Sequence, residues 1–409
     1  MLKTIVDIGR VLFLVPLMFA VVPHVYAAET VMVGLNVPLS GSYSRQGEDQ
    51  LKAYTLAIDV LNDRGGILGK RIVYAVRDTE TDPDVARTNA YELIAQGAQL
   101  ITGGSSSAVA IAQAEVCQEK KILFLAGLSH SNETTGSHGH RYSFRWYNNG
   151  HQTAKAMSSV LVEKYGKKAT YAFLYSDYTW GTTFHESLEE VIRKNGGKTV
   201  LSLPTKLGEK SYISALLKVK NAQPDVLVMI HFGDDMINSL RQATLLKLRE
   251  KMAIVVPLME LHMAQPLGPE IMEGVITSMC WYHRLADRFE GSREFVRLFA
   301  ERYHKKPGNA AAAAWVNMFQ YAEAVERAGS FAGNAVIKTL EGHHFTLLGA
   351  DEYWRDWDHQ GIHPTYIAVG KSPAESKDEW DLFTLIDERD GEFLARTREE
   401  NPVNLEPLE

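Results

Sequence analysis

VMVGLNVPLSGSYSRQGEDQLKAYTLAIDVLNDRGGILGKRIVYAVRDTETDP, residues 31–83, decides how the rest of the chain is read. Residues 31–37 are a continuous apolar, β-branched run, the pattern of a strand covered on both faces. After a polar Ser/Gly loop, Leu51, Tyr54, Ile58 and Leu61 fall on one stripe of a helix over 47–62, which Gly65-Gly66 ends. Residues 71–76 form the next strand and close on acidic turn residues. Strand, loop, helix, strand in this order begins a parallel sheet, with a loop at the carboxyl end of its first strand suited to a small molecule. The order predicts an exported ligand-binding protein rather than an enzyme.

Working outward, the alternation continues as helix 85–96, strand 99–102, helix 107–119 and strand 122–126. A polar, aromatic stretch at 138–149 marks a crossover, and a second α/β unit begins near Gly150. Its strands are expected at 170–175, 198–203, 226–230 and 252–256, with helices at 183–195, 212–220 and 235–248. Helical patterns return at 292–304 and 310–328, the latter stopped by Gly329. The tail from 372 to 409 is charged and less periodic. The fold class is therefore α/β, with parallel, doubly wound sheets.

Residues 1–27 carry early basic residues (Lys3, Arg10), an apolar run over 11–22 and then Val25-Tyr26-Ala27. This is a signal-peptide pattern with cleavage expected after Ala27, and the apolar run is shorter than the ~20 residues of a membrane span. The mature chain is expected in the periplasm and not inserted in the membrane. Removing 1–27 takes the formal charge from −7 to −8, which gives no support to nucleic-acid binding. Cys117 and Cys280 lie in different expected lobes and are read as two buried free thiols, although export would permit a disulfide.

Several motifs occur together in a fixed order. They are Pro38–Gly47 (PLSGSYSRQG), Asn62-Asp63-Arg64-Gly65-Gly66-Ile67, Asp78…Asp82-Pro83, Gly103-Gly104-Ser105-Ser106-Ser107, Ser176-Asp177-Tyr178-Thr179-Trp180-Gly181, Pro224-Asp225, Leu240-Arg241-Gln242-Ala243 and Glu273-Gly274. The ordered set, over roughly 30–370, resembles the Leu/Ile/Val-binding group of type I periplasmic binding proteins of branched-chain amino acid ABC importers. The resemblance implies two α/β lobes joined by a three-crossover hinge, with ligand trapped when the lobes close. Lobe 1 would take 29–146 and 284–350, and lobe 2 would take 147–283 and 351–409.

The same resemblance places Ser106 and Ser107 at a carboxylate site where a helix opens, although N-capping accounts for serines there too. Leu128 and His130 stand where the family usually has small residues or Thr, which argues against a standard α-amino acid; a surface-loop role remains open for His130. Trp180 and Phe232 match aromatic pocket positions, and Tyr43 and Gln46 sit on the first loop. Glu260 lies near the family's acidic residue that pairs with a ligand ammonium, and a solvated loop carboxylate is the alternative reading.

The resemblance implies a small-molecule ligand, an ABC permease and ATPase complex as partner, and no cofactor. Amino acids, amides and urea, aromatic acids and amines are the ligand candidates. A ligand-binding sensor that relays occupancy to a signalling partner is the competing reading. There is no Walker loop, GxSxG elbow or HExxH. The histidine pairs His138/His140, His343/His344 and His359/His363 lack trusted metal spacing and are read as exposed loop residues, a metal-dependent hydrolase being the remote alternative.

Overall fold

The computed structural model describes residues 29–349 and 351–408; the expected signal peptide lies outside them. Strands β1 (Thr30–Val37), β2 (Arg71–Asp78), β3 (Ala98–Gly103), β4 (Leu123–Ala126) and β5 (Ser143–Arg145) form an all-parallel sheet in the order β2-β1-β3-β4-β5. Helices α1 (Ser44–Asp63), α2 (Pro83–Ala95) and α3 (Ser107–Lys120) make its connections. The period of two is visible in what each side chain meets. Leu100, Leu123 and Leu125 join the cluster that includes Tyr54 and Ala57 of α1, while Ile101, Phe124 and Ala126 join Leu93 of α2 and Ala110 and Cys117 of α3. Both faces are covered, which is why these strands read as unbroken apolar runs.

The chain then crosses to a second sheet through α4 (Gly150–Tyr165). Strands β6 (Thr170–Ser176), β7 (Lys198–Thr205), β8 (Val226–Ile230), β9 (Ala253–Leu258) and β10 (Ile276–Met279) run parallel in the order β10-β9-β8-β6-β7. Between them lie α5 (Thr179–Lys194), α6 (Ile213–Ala222), α7 (Gly233–Leu245) and the short α8 (Leu261–Ala264) and α9 (Gly268–Met272). After β10 the chain returns as α10 (Glu290–Tyr303), α11 (Asn309–Ala328) and α12 (Gly333–Leu340), with α11 packed along α1. A small antiparallel sheet, β11 (His344–Phe345), β12 (Glu352–Trp354) and β13 (Gly361–Ile362), leads into the third crossing. Strands β14 (Thr365–Gly370) and β15 (Phe383–Arg389) then add antiparallel beyond β10, and α13 (Gly391–Leu394) follows.

Three differences from the sequence reading have physical reasons. The second sheet is mixed rather than all parallel, because the chain enters it from the opposite end after the third crossing. Helix α4 falls in a stretch assigned no element; its start is fixed by a reciprocal cap, Asn149 accepting from the Gln152 N–H and the Gln152 side chain accepting from the Asn149 N–H. The charged tail holds β15 and then a strap, in which Asn401 Nδ2 donates to the Thr135 carbonyl at 3.0 Å and Arg141 Nε to the Glu406 carbonyl at 2.6 Å. Few apolar residues anchor the tail (Leu382, Phe383 and Leu394 join the core), and side-chain bonds hold the rest, which is why it reads as polar.

The histidine pairs also differ from expectation. His359 and His363 are buried, not exposed; His359 stacks on Phe144 at 3.7 Å and His363 on Trp146 at 4.5 Å. Cys117 and Cys280 are both buried and unbridged. Among the described residues no group of three or more His, Cys, Asp or Glu is placed to hold a metal, and no helix is long and apolar enough to cross a membrane.

Candidate functional site

Carboxyl ends of strands from both sheets meet face to face, and their loops carry the candidate site. Gly103 and Gly104 take positive φ after β3 and turn the chain into Ser105 and α3. Ser106 is the N-cap of α3 but its side chain makes no capping bond, so the first-turn N–H groups have no acceptor from the cap. Ser107 Oγ receives the N–H groups of His130 at 3.1 Å and Ser131 at 3.0 Å, and so pins the loop after β4. Ser129 Oγ lies 3.2 Å from Ser107 Oγ as well, so the Ser107 hydroxyl is engaged within the protein.

From the second lobe, α5 begins immediately after β6, with Tyr178 as N-cap and Trp180 in the first turn. That sharp entry depends on Gly181, where a Cβ would stand 1.9 Å from the Ser176 carbonyl oxygen. Gly181→Ala is expected to cost about 2 kcal/mol or more of stability and to displace Trp180, read by a thermal melt and by the tryptophan fluorescence spectrum. Phe232 is the N-cap of α7.

Ser105, Ser107, Leu128, His130, Tyr178, Trp180, Phe232 and Leu258 line a small cavity of about 10 Å3 between the lobes. The lobes are closed on it. Tyr43 and Tyr178 hydroxyls lie 2.9 Å apart, the Tyr43 ring meets Phe232 edge-on at 5.2 Å, and the Asp234 N–H donates to the Ser42 carbonyl at 3.1 Å. Gly233 permits this approach, since a Cβ there would be 2.3 Å from the Ser42 oxygen. Ser131 and Thr179 hydroxyls add a bond of 2.8 Å across the lobes.

Of the positions singled out in the sequence, Ser107, Leu128, His130, Trp180 and Phe232 are brought together here. Tyr43 touches the lining from outside. Gln46 is buried in the first turn of α1 and neither end of its amide has a protein partner. Ser106 stays out of the lining. Glu260 is not among the lining residues, although Tyr147, which it holds, meets the His130 ring at 5.7 Å; it is fully buried rather than solvated, its carboxyl accepting from Tyr147 Oη at 3.0 Å and from the Ala310 N–H at 3.3 Å at the start of α11. Burial, then the neighbouring Asp49, pushes it up to about 8. Tyr178 and Leu258 were not chosen from the sequence. Tyr178 stood inside a quoted motif, whereas Leu258 had only its place at the end of β9 as a signal.

The polar character of the lining is one-sided. Both ring nitrogens of His130 and the indole Nε1 of Trp180 are buried without a protein partner. Burial, helped by the Arg145 charge, pushes His130 down to about 3, so the closed site holds a neutral imidazole with one donor and one acceptor. Trp180 Nε1 is a donor only. No carboxylate lies in the lining. The arrangement offers donors at the α3 end to an acceptor oxygen, with Trp180, Phe232 and Leu128 as apolar walls; with the lobes closed the space between them is only water-sized.

A family model described as "Periplasmic binding protein" matches residues 30–376. The leucine-, isoleucine-, valine-, threonine- and alanine-binding protein of Pseudomonas aeruginosa is 22% identical over 217 residues, 53% of this chain; the match spans 58% of that relative's length. A periplasmic binding protein from Burkholderia mallei superposes with a TM-score of 0.85 at 26% identity, covering 91% of this chain and 98% of its own. The solute-binding protein of an ABC transporter from Rhodopseudomonas palustris BisB5, solved with 3,4-dihydroxybenzoic acid, superposes with a TM-score of 0.80 at 21% identity, covering 88% and 98%. The last likeness is one of fold alone.

Proposed function

Because the chain belongs to the periplasmic binding protein family, in its type I branched-chain amino acid group, we propose that it captures a small organic acid with an aromatic or bulky apolar body and delivers it to an ABC importer. Members of the family bind substrates rather than transform them. The mature protein would act in the periplasm after loss of residues 1–27, and closure of lobes 29–146 with 284–350 onto 147–283 with 351–409 would present the loaded form to a permease and its ATPase.

One observation carries the ligand class: the lining where the lobes meet offers unpartnered donors at Trp180 and His130 and contains no carboxylate. An α-amino acid would bring an ammonium into a dry site with no counter-charge, at a cost of several kcal/mol. Glu260 does not relieve this, since its carboxyl is held by Tyr147 and α11. An acid without an amine meets the donors of Trp180 and His130 and the aromatic rings without needing a counter-charge. The relative from Rhodopseudomonas, bound to a dihydroxybenzoic acid, is consistent with such cargo within this fold.

The reading is tested by a thermal-shift screen of the mature protein with benzoate and hydroxybenzoates, leucine, isoleucine and valine, simple amides, and amines. An aromatic acid at a hundred times its Kd should stabilise the protein by about 2.7 kcal/mol and raise Tm by a few degrees. A shift with leucine and none with any acid would overturn the ligand class.

A further inference from the structure

Arg145, the last residue of β5, is fully buried at the first crossover. Its guanidinium donates to Gln360 Oε1 at 3.0 and 2.6 Å, to Thr135 Oγ1 at 2.7 Å and to the Ser131 carbonyl. All four bonds go to uncharged oxygens, and among the described residues no carboxylate lies within ion-pair distance of it. Asp358, the carboxylate whose charge reaches it, is already engaged. Arg355 donates to both Asp358 oxygens and Asn401 Nδ2 adds a bond at 2.8 Å. Arg396, also buried, donates to the Asn132 carbonyl at 2.8 Å and adds its charge to that of Arg145. Three buried guanidiniums therefore share one buried carboxylate, with Glu400 at the exposed rim acting on Arg396.

Buried charge is tolerated when it is compensated, and here compensation is partial: Asp358 serves three guanidiniums, while the half-buried Glu133 beside Ser131 is bonded to Thr179, and Glu186 and Glu190 face Arg396 only across the surface. The excess lies directly behind residues 129–132. Ser131 gives its carbonyl to Arg145, while His130 beside it lines the pocket and senses the Arg145 charge. The donors of the lining are neutral and would serve an amide carbonyl about as well as a carboxylate. What separates the two is the field from behind the segment.

We propose that Arg145 is a specificity-determining residue: its unbalanced guanidinium makes the closed cleft select a ligand of net negative charge, whose carboxylate supplies the missing counter-charge. This rests on the organic-acid reading above and states how the acid is told from its neutral isostere. The charge acts through protein rather than through bulk water, so it is only weakly screened by salt.

The test measures matched pairs, benzoate with benzamide and 4-hydroxybenzoate with 4-hydroxybenzamide, by titration calorimetry. Arg145→Gln should weaken the acid about tenfold, as loss of one partly buried charge interaction implies, and leave the amide within about twofold. Arg145→Lys should retain the preference for the acid. Should Arg145→Gln fail to fold, Asp358→Asn takes its place and should increase the preference. Equal losses for acid and amide, or a preference unmoved by Asp358→Asn, would reduce Arg145 to a packing role and overturn the proposal. A ligand-independent arm reads the same field: in a His130→Cys background, where native Cys117 and Cys280 are buried, Arg145→Gln should raise the pKa of the introduced thiol, followed by the pH dependence of its alkylation. No rise there overturns the proposal; a clear rise with no acid bound by the wild type sinks the ligand class alone.

Discussion

Trp180→Ala should weaken binding of the best aromatic acid by about two orders of magnitude, close to 3 kcal/mol. Trp180 is 2% exposed, meets Phe232 edge-on at 6.1 Å, leans on Tyr178 at 6.1 Å and stands 6.2 Å from the His130 ring. It supplies a wall of the pocket and one of its few unpartnered donors, so truncation removes packing and a hydrogen bond together. Titration calorimetry reads the affinity, and a melting curve without ligand separates this loss from damage to the fold. An affinity within threefold of wild type would place the ligand away from this wall.

The second large effect is acid lability. Burial holds His231 and His283 down at about 3 and His151 at about 4, against 6.5 for a free imidazole. His231 is typical, its two nitrogens fixed by Ser239 Oγ at 2.8 Å and Thr205 Oγ1 at 2.9 Å. Below pH 6.5 the unfolded chain binds protons that the fold refuses, so stability falls as pH falls, by about 1.4 kcal/mol per pH unit for each imidazole at most. Glu260 and Glu352, raised to about 8 from 4.5, act in the opposite sense. The fold keeps protons that the unfolded chain releases, so their contribution grows as pH falls from 8 to 4.5 and then stops. Between pH 6.5 and 4.5 the imidazoles, His130 among them, outnumber the two carboxyls and stability falls; below 4.5 carboxylates held low in the fold, such as Asp78 and Glu341, add to the loss. Tm should therefore decline below pH 6.5 and more steeply beneath 4.5. His231→Gln should soften the steep part, and a Tm flat to pH 3.5 would contradict the packing around these rings.

These expectations draw on features the sequence exposed unevenly. Strands buried on both faces, such as β8 with five buried residues out of five, announce themselves as apolar runs. The loops that follow such strands could be named at once, and the family resemblance put Ser107, Leu128, His130, Trp180 and Phe232 on them, where the structure brings the five together. Orientation was not legible. Whether Ser107 faces a ligand or a neighbouring N–H depends on how the loop after β4 returns, and Glu260 is directed by the start of α11, fifty residues away in sequence. The Arg145, Arg355 and Arg396 cluster was invisible for the same reason, since its members come from three separate passes of the chain.

The Tyr43–Tyr178 contact carries a kinetic consequence. With those hydroxyls joined and Phe232 against the Tyr43 ring, a captured molecule leaves only when the lobes part. Its escape rate is then governed by the opening frequency of the protein more than by the molecule's own grip. Chemically different cargoes that permit the same closure should share similar residence times while differing in how readily they are taken up.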